Sequence, residues 1–332
     1  MKKNIKCPIC NNCEFKQLSR LFDDRYGEPN IYSISKCTSC NHLITIPRIK
    51  NKDLSSLYGN FYPRKDLSPD RILQEAKAEN SKFSKIIRWL KGTNNQGQFF
   101  IRKNQFMLDI GCGSGVSLIE ASNLGATAFG VEADPNIKYL AEKLKLNIFI
   151  GDFDKDTYFG KNFDLIVMNQ VIEHIPEPSD FLKIIKGKMT RESILVVSFP
   201  NTKSFWRYIS GNKWINWHVP YHLHHFNAFN FERMSKNCGF KIINKKTITP
   251  NIWTILQIRT FFNTYKKGEK NKLWNKVYLN KKNIKNKTKI LFNFRIIIKF
   301  ICQLLITFIN RIIDVIGKGD SLIFFLKLEK EQ

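Results

Sequence analysis

Two C-x2-C pairs, Cys7-Pro-Ile-Cys10 and Cys37-Thr-Ser-Cys40, are the first residues in the chain whose spacing implies chemistry. Each pair suits a tight knuckle that aims two thiolates at one ion. Two knuckles complete the tetrahedral S4 shell that Zn2+ accepts at structural sites. Cys13 and His42 are spare donors, and either can stand in for an assigned cysteine. A four-cysteine shell leaves no coordination position open, so such an ion would hold structure rather than react. Five of the eight cysteines lie within the first 40 residues, behind a Met-Lys-Lys-Asn start with no apolar leader. That clustering reads as a metal module in a cytoplasmic protein, not as a disulfide framework.

The second constellation is a glycine turn, Gly111-Cys112-Gly113-Ser114-Gly115, with Asp109 two residues before it and Glu132 further on. Glycines let backbone approach a ligand closely, and a following helix offers its N-terminal amides to a carboxylate. Asp109 can accept hydrogen bonds from a cationic or hydroxylated ligand, and Glu132 can grip both hydroxyls of a ribose. Val116 stands where a dinucleotide fingerprint would need its third glycine, which argues against a nicotinamide cofactor. A third group is histidine-rich. His174 is a candidate general base, since an imidazole titrates near neutral pH, or else an anchor for the following loop. His218-Val-Pro-Tyr-His222-Leu-His224-His225-Phe226 follows Trp206, Trp214 and Trp217. It reads as a lid or acceptor wall, with His225 a second candidate for catalysis, or as ordinary aromatic packing under a long loop.

These side chains need elements to hold them. Gln105 to Ile110 predicts a buried strand, and further strands are expected at 127–132, 147–150, 163–168, 193–199, 240–243 and 321–328. Helical stretches lie between most of them, including 116–124, 135–146 and 179–189. Strands alternating with helices imply a doubly wound parallel sheet covered on both faces, with ligands beyond the carboxyl ends of its strands. The expected organisation is a zinc ribbon over 1–50, a helical linker or cap over 51–100, and an α/β core over 101–250. A helical insertion over 251–318 and the core's final strand over 319–332 complete it.

The run Leu108-Asp109-Ile110-Gly111-Cys112-Gly113-Ser114-Gly115 resembles the first motif of class I S-adenosylmethionine-dependent methyltransferases. The resemblance continues through Gly130-Val131-Glu132-Ala133-Asp134-Pro135, Gly151-Asp152-Phe153 and the stretch from Phe163 to Glu173-His174. It covers roughly residues 105–240 and implies a Rossmann-like core. The Glu-His pair is similar to that of quinone-biosynthesis O-methyltransferases. A zinc ribbon ahead of such a core resembles bacterial methyltransferases of surface-glycan and sugar pathways. By this resemblance Asp109, Gly111, Gly113 and Gly115 would hold the methionine end of S-adenosylmethionine, and Glu132 its ribose. Asp152 would meet the adenine amino group with Phe153 beside the ring, and Asn169 and Gln170 would line the pocket near the sulfonium.

Composition leaves a choice of partner. Hydrophobic residues at 43% and charged residues at 25% exclude a disordered or fibrous chain. The net charge of +26 is concentrated after Lys241. The leading expectation is O-methylation of a small-molecule, sugar or lipid-linked acceptor. An RNA methyltransferase is the enzyme alternative, its ribbon and basic surface facing phosphate. A non-catalytic, zinc-dependent interaction protein is the other. The longest apolar run, Phe300 to Ile309, is too short to span a bilayer. The predicted helix over 292–316 is amphipathic, with its apolar side expected to pack on 252–262 or to lie peripherally on a membrane.

Overall fold

A computed structural model describes residues 5–49, 51–61, 68–76, 82–93, 96–271, 273–274 and 289–329. Three strands come first: β1 (Phe15–Phe22), β2 (Ile31–Cys37) and β3 (Leu43–Ile46). Helices α1 (Asn51–Phe61), α2 (Pro69–Glu75) and α3 (Lys82–Lys91) lead into the core. The core then runs β4 (Phe106–Ile110), α4 (Val116–Asn123), β5 (Thr127–Glu132), α5 (Lys138–Lys143), β6 (Asn147–Ile150), β7 (Phe163–Asn169), α6 (Pro178–Lys186) and β8 (Met189–Pro200). After it come α7 (Phe205–Ser210), β9 (His224–His225), α8 (Ala228–Asn237), β10 (Phe240–Ile248), α9 (Asn251–Phe261), α10 (Lys289–Val315) and β11 (Ser321–Leu328).

The large sheet has the order β10-β11-β8-β7-β4-β5-β6. Strands β4 to β8 are parallel, and β11 enters antiparallel between β8 and β10. Alternate residues feed opposite faces. Leu108, Ile166, Leu195 and Phe324 join one buried cluster, and Met107, Val167, Val196 and Phe325 the other. Near-continuous apolar strands are what a sheet covered on both sides demands. The expected helix over 135–146 begins as a 3-10 turn at Pro135–Ile137, capped by Asp134, before α5 takes over. Helix α6 stops at Lys186 because Gly187 follows, and Met189 already belongs to β8.

The small sheet, β1-β2-β3-β9, joins the ribbon to the core. Its last strand comes from the histidine-rich loop, where Leu43 pairs with His225 and Ile44 with His224.

Helix α10 turns its polar side inward, against the first of its two expected arrangements, packing of the apolar side on 252–262. Its contacts with α9, α3 and the end of β10 are polar. Thr307 Oγ1 accepts from Asn251 (2.8 Å), and Asn310 Oδ1 accepts from Thr254 (2.9 Å). Arg311 donates to the carbonyls of Trp89, Leu90 (3.1 Å) and Thr249 (2.7 Å), and pairs with Asp314 at 2.7 Å. The apolar side faces outward instead of packing on α9, because the cradle offered by α3 and α9 is lined with carbonyls and amides. Arg295 lies in α10, but its side chain falls outside the described residues.

Arg311 is 6% exposed, and removing one partner of a buried ion pair strands the other. Arg311→Met is therefore expected to destabilise the fold by about 3 kcal/mol. Urea unfolding monitored by circular dichroism reads this as a lower midpoint.

Candidate functional site

The glycine turn lies at the carboxyl end of β4, as the strand pattern requires. Gly111 and Gly113 both hold positive φ (74° and 55°), where side chains are strained. Their surroundings differ. A Cβ on Gly111 would strike Val171 at 2.6 Å, whereas one on Gly113 would meet nothing within 4 Å. Gly111 is thus fixed by packing against the loop after β7, while Gly113 borders open space where a ligand can approach. Gly115 caps α4 with φ 80°.

Acidic groups surround this opening. Asp109 is 3% exposed, with one carboxylate oxygen bonded to Ser117 and Oδ1 without any partner. Burial, with Glu132 and Glu120 nearby, pushes its carboxyl up to about 7. A buried carboxylate in that state is stabilised by a cation or a strong donor. Glu132 braces the turn, accepting from Gly113 N at 2.9 Å and from Asp134 N at 3.0 Å. In a chain of net charge +26 this local acidity is selective for a positively charged ligand.

The other expected cofactor residues divide. Asp152 is exposed after β6. Phe153 is buried, its ring 5.6 Å from Phe181 in the main core. It therefore supports the loop from beneath rather than standing free beside a ring. Asn169, at the end of β7, accepts from Gly97 N (3.1 Å) and donates to Gln98 (3.2 Å), which ties the 3-10 turn Gly97–Phe100 across the sheet. Gln170 follows at φ 56° and donates to Ser198 and Ser321.

Next to this turn, β7 delivers Glu173 and His174 into a buried polar cluster. His174 Nδ1 is 2.9 Å from the Tyr221 carbonyl and 2.9 Å from Tyr58 Oη. His222 Nδ1 is 2.8 Å from the Asn216 carbonyl. Carbonyls only accept, so both Nδ1 atoms carry hydrogen and both Nε2 atoms keep a lone pair. Burial pulls His174 down to about 4, so it is neutral at pH 7. Glu173 is 1% exposed, with neither carboxylate oxygen hydrogen-bonded and Oε1 4.0 Å from His222 Nε2, and burial raises it to about 8. Glu173, His174 and His222 bring their ligand atoms within 4.8 Å of one another. Such a group holds a proton or a cation. His218 joins it, its Nδ1 3.4 Å from His222 Nε2, with a strained φ of 38°.

His225 adjoins this cluster, its ring 6.4 Å from that of His222, but its hydrogen bond points the other way. It is 3% exposed, its Nε2 is 2.9 Å from Thr45 Oγ1, and its ring packs edge-on against Trp217. Burial lowers it to about 3. This correction follows from the pairing of β9 with β3, which turns His225 into the small sheet and away from the cleft. Tyr58, Tyr221 and Glu173 were missed as site residues. Glu173 had a signal, being buried beside a candidate base. Tyr58 had none, since α1 reaches His174 only through tertiary packing.

The ribbon cysteines gather as their spacing predicts. Cys7, Cys10, Cys37 and Cys40 lie within 4.8 Å of one another, with Sγ–Sγ distances of 3.4 Å (Cys7–Cys40) and 3.5 Å (Cys10–Cys37). Thiolates about 2.3 Å from one tetrahedral ion stand at nearly this separation, so the donor set fits Zn2+. Cys13 is exposed and outside the cluster, and His42 is buried against His224.

Between the ribbon and the core runs a groove of about 740 Å³. Lys36 and Cys40 line one side, and Lys203, Arg207 and the first turn of α8 the other. Among the described residues, no acidic side chain lines it. Asn230 does, 1% exposed and with neither side-chain polar atom partnered.

Residues 86–245 match a family profile described as a methyltransferase domain. A ubiquinone biosynthesis O-methyltransferase of Cereibacter sphaeroides is 30% identical over 131 residues, covering 37% of this chain and 53% of the relative. One from Dinoroseobacter shibae is 26% identical over 208 residues, covering 58% and 79%. The chain thus spans about half the length of the first relative. A SAM-dependent methyltransferase of Archaeoglobus fulgidus overlays with a TM-score of 0.41 at 18% identity, covering 78% of this chain and 94% of that one.

Two outcomes are expected from this geometry. Purified protein should carry one Zn2+ per chain, and Cys37→Ser should lose it, as read by elemental analysis. Histidine NMR should show no His174 titration between pH 6 and 8, because its protonation is displaced to about 4. A midpoint near 6.5 would place the ring in open water instead.

Proposed function

We propose, for a chain whose residues 86–245 belong to the methyltransferase domain family, that it transfers a methyl group from S-adenosylmethionine to an oxygen of a small-molecule or glycan acceptor. One observation carries the reading. Adjacent parallel strands β4 and β7 put an open glycine turn over an orphaned buried carboxylate beside a neutral, backbone-anchored histidine. When bound, S-adenosylmethionine supplies a cationic methyl donor that carries its own leaving group.

The residues present fit that cofactor. Asp109 Oδ1 offers an unused acceptor to a cationic ligand, and Gly113 leaves room for its approach. Glu132 has lone pairs left for ribose hydroxyls while it holds the turn. What the protein must add is alignment and removal of one proton from the acceptor. His174 can accept that proton at Nε2, its ring fixed by the Tyr221 carbonyl, as a weak base that burial holds near 4.

The groove beside the ribbon supports an acceptor that carries negative charge. Lys36, Lys203 and Arg207 present three cations with no acid among them, and the α8 N-terminus adds its dipole. Its volume suits a single small molecule rather than a nucleic-acid strand. The same ribbon wall is the reason to read the Zn2+ as structural: the ion would hold Cys40, and with it the edge of the groove.

Calorimetry with S-adenosylmethionine tests the cofactor assignment, with NADH as the control expected not to bind. Glu132→Ala is expected to weaken binding by about 1.5–3 kcal/mol, the range for a hydrogen bond to a charged group. Wild-type affinity in that variant would remove Glu132 from the ribose. Failure of the wild-type chain to bind would overturn the proposed activity.

A further inference from the structure

The apolar side of α10 is uncovered from Ile298 to Val315. Phe300, Leu304, Phe308, Ile312 and Val315 are all exposed, Phe308 by 66% and Val315 by 82%. The helix is oriented this way by design of its other side, where Thr307, Asn310, Arg311 and Asp314 are bonded to α9, α3 and Thr249. An ordinary surface helix does the reverse.

Neighbouring helices extend the same surface. Arg311 is bonded to Trp89 and Leu90 in α3, both exposed. Trp206 reaches Asn310 at 3.5 Å, which sets exposed Ile209 of α7, three residues on, alongside. Asn251 holds α9 there, with exposed Ile252 beside it. Exposed apolar side chains on four helices bonded to one another mark an interaction surface.

Its charge identifies the occupant. Helices α3, α7 and α9 contain no Asp or Glu, and the single acidic residue of α10, Asp314, is turned inward and paired with Arg311. Lys85, Lys91, Arg259, Lys299 and Lys318 are exposed around the patch. A second copy of this chain would set these cations against one another across the interface. A bilayer with anionic headgroups would neutralise them while its acyl region took the apolar side chains. No helix among the described residues is long and apolar enough to cross a membrane, so the geometry is that of a helix lying in the interface.

We propose that α10, with α3, α7 and α9, docks the protein on an anionic lipid surface. Gly317, two residues past the end of α10, lines the basic groove. Docking therefore sets the mouth of that groove beside the headgroups, where a lipid-linked anionic acceptor would be presented. The docking itself is independent of the methyltransferase reading, and it is tested without S-adenosylmethionine.

The experiment is vesicle flotation of the full chain. Vesicles of phosphatidylcholine with about 30 mol% phosphatidylglycerol are compared with phosphatidylcholine alone, at low and high salt. The full chain is expected to float with the anionic vesicles, less at high salt, and poorly with the neutral ones. Phe300→Ser combined with Leu304→Ser, two exposed positions outside the polar seam, is expected to lower partitioning at least about tenfold. An unchanged thermal midpoint establishes that this variant is folded. Absence of flotation on anionic vesicles overturns the proposal, as does equal flotation of the variant. Light scattering that shows a dimer broken by the same double substitution, without flotation, assigns the patch to self-association instead.

Discussion

The burial of β4 between β5 and β7 is the constraint from which the site follows. Met107 and Leu108 are fully buried, one on each face of the sheet, so β4 has no freedom to shift in register. Its parallel pairing with β5 and β7 brings all three carboxyl ends to one edge. Whatever follows those strands must emerge together there. Asp109 and the glycine turn leave β4, Glu132 ends β5, and Glu173 and His174 come just after β7. No long-range side-chain contact is needed to collect them, since the backbone ladder already has.

The electrostatics of that edge run against the rest of the molecule. Around it the chain is basic, yet Asp109, Glu120, Glu132 and Glu173 converge on the cleft or its floor. Desolvation pushes three of them up, Asp109 to about 7, Glu173 to about 8 and Glu120 in the same direction. Carboxyl groups in such a state respond strongly to an arriving positive charge, because ionisation then becomes favourable in place of costly. The basic groove next to the ribbon has the opposite preference. The field thus favours a cationic ligand at the cleft and an anionic one along the groove.

Much of this was legible from spacing, and the limits are physical. The C-x2-C pairs, the glycine turn and strands 127–132, 147–150 and 321–328 are local patterns with local causes, and each lies where the sequence puts it. Phe153 was read from the family motif and His225 from a histidine-rich stretch, and whether such a side chain meets ligand or core depends on what packs above it. Tyr58 was invisible because nothing near it in the chain marks it for His174. Helix α10 shows the same limit more sharply. Its amphipathicity was plain, but the sign of its orientation depended on the carbonyls of Trp89, Leu90 and Thr249, which lie far away in sequence.

The ribbon acquires its place through β9. Thr45 Oγ1 donates to the His222 carbonyl at 2.6 Å, and Thr45 N donates to Leu223 at 3.0 Å. Leu223 N in turn donates to the Glu173 carbonyl at 2.9 Å. A short chain of hydrogen bonds therefore runs from β3 of the ribbon through His222 to Glu173. A ribbon of this size has little core of its own, so an ion held by its cysteines would supply much of its folding free energy. That free energy would be felt at the cleft, because β3 is what keeps the His218–His225 loop closed over His174. On this argument the cysteine-rich ribbon is tied to the cleft by two paired strands, β3 and β9, rather than by a flexible linker.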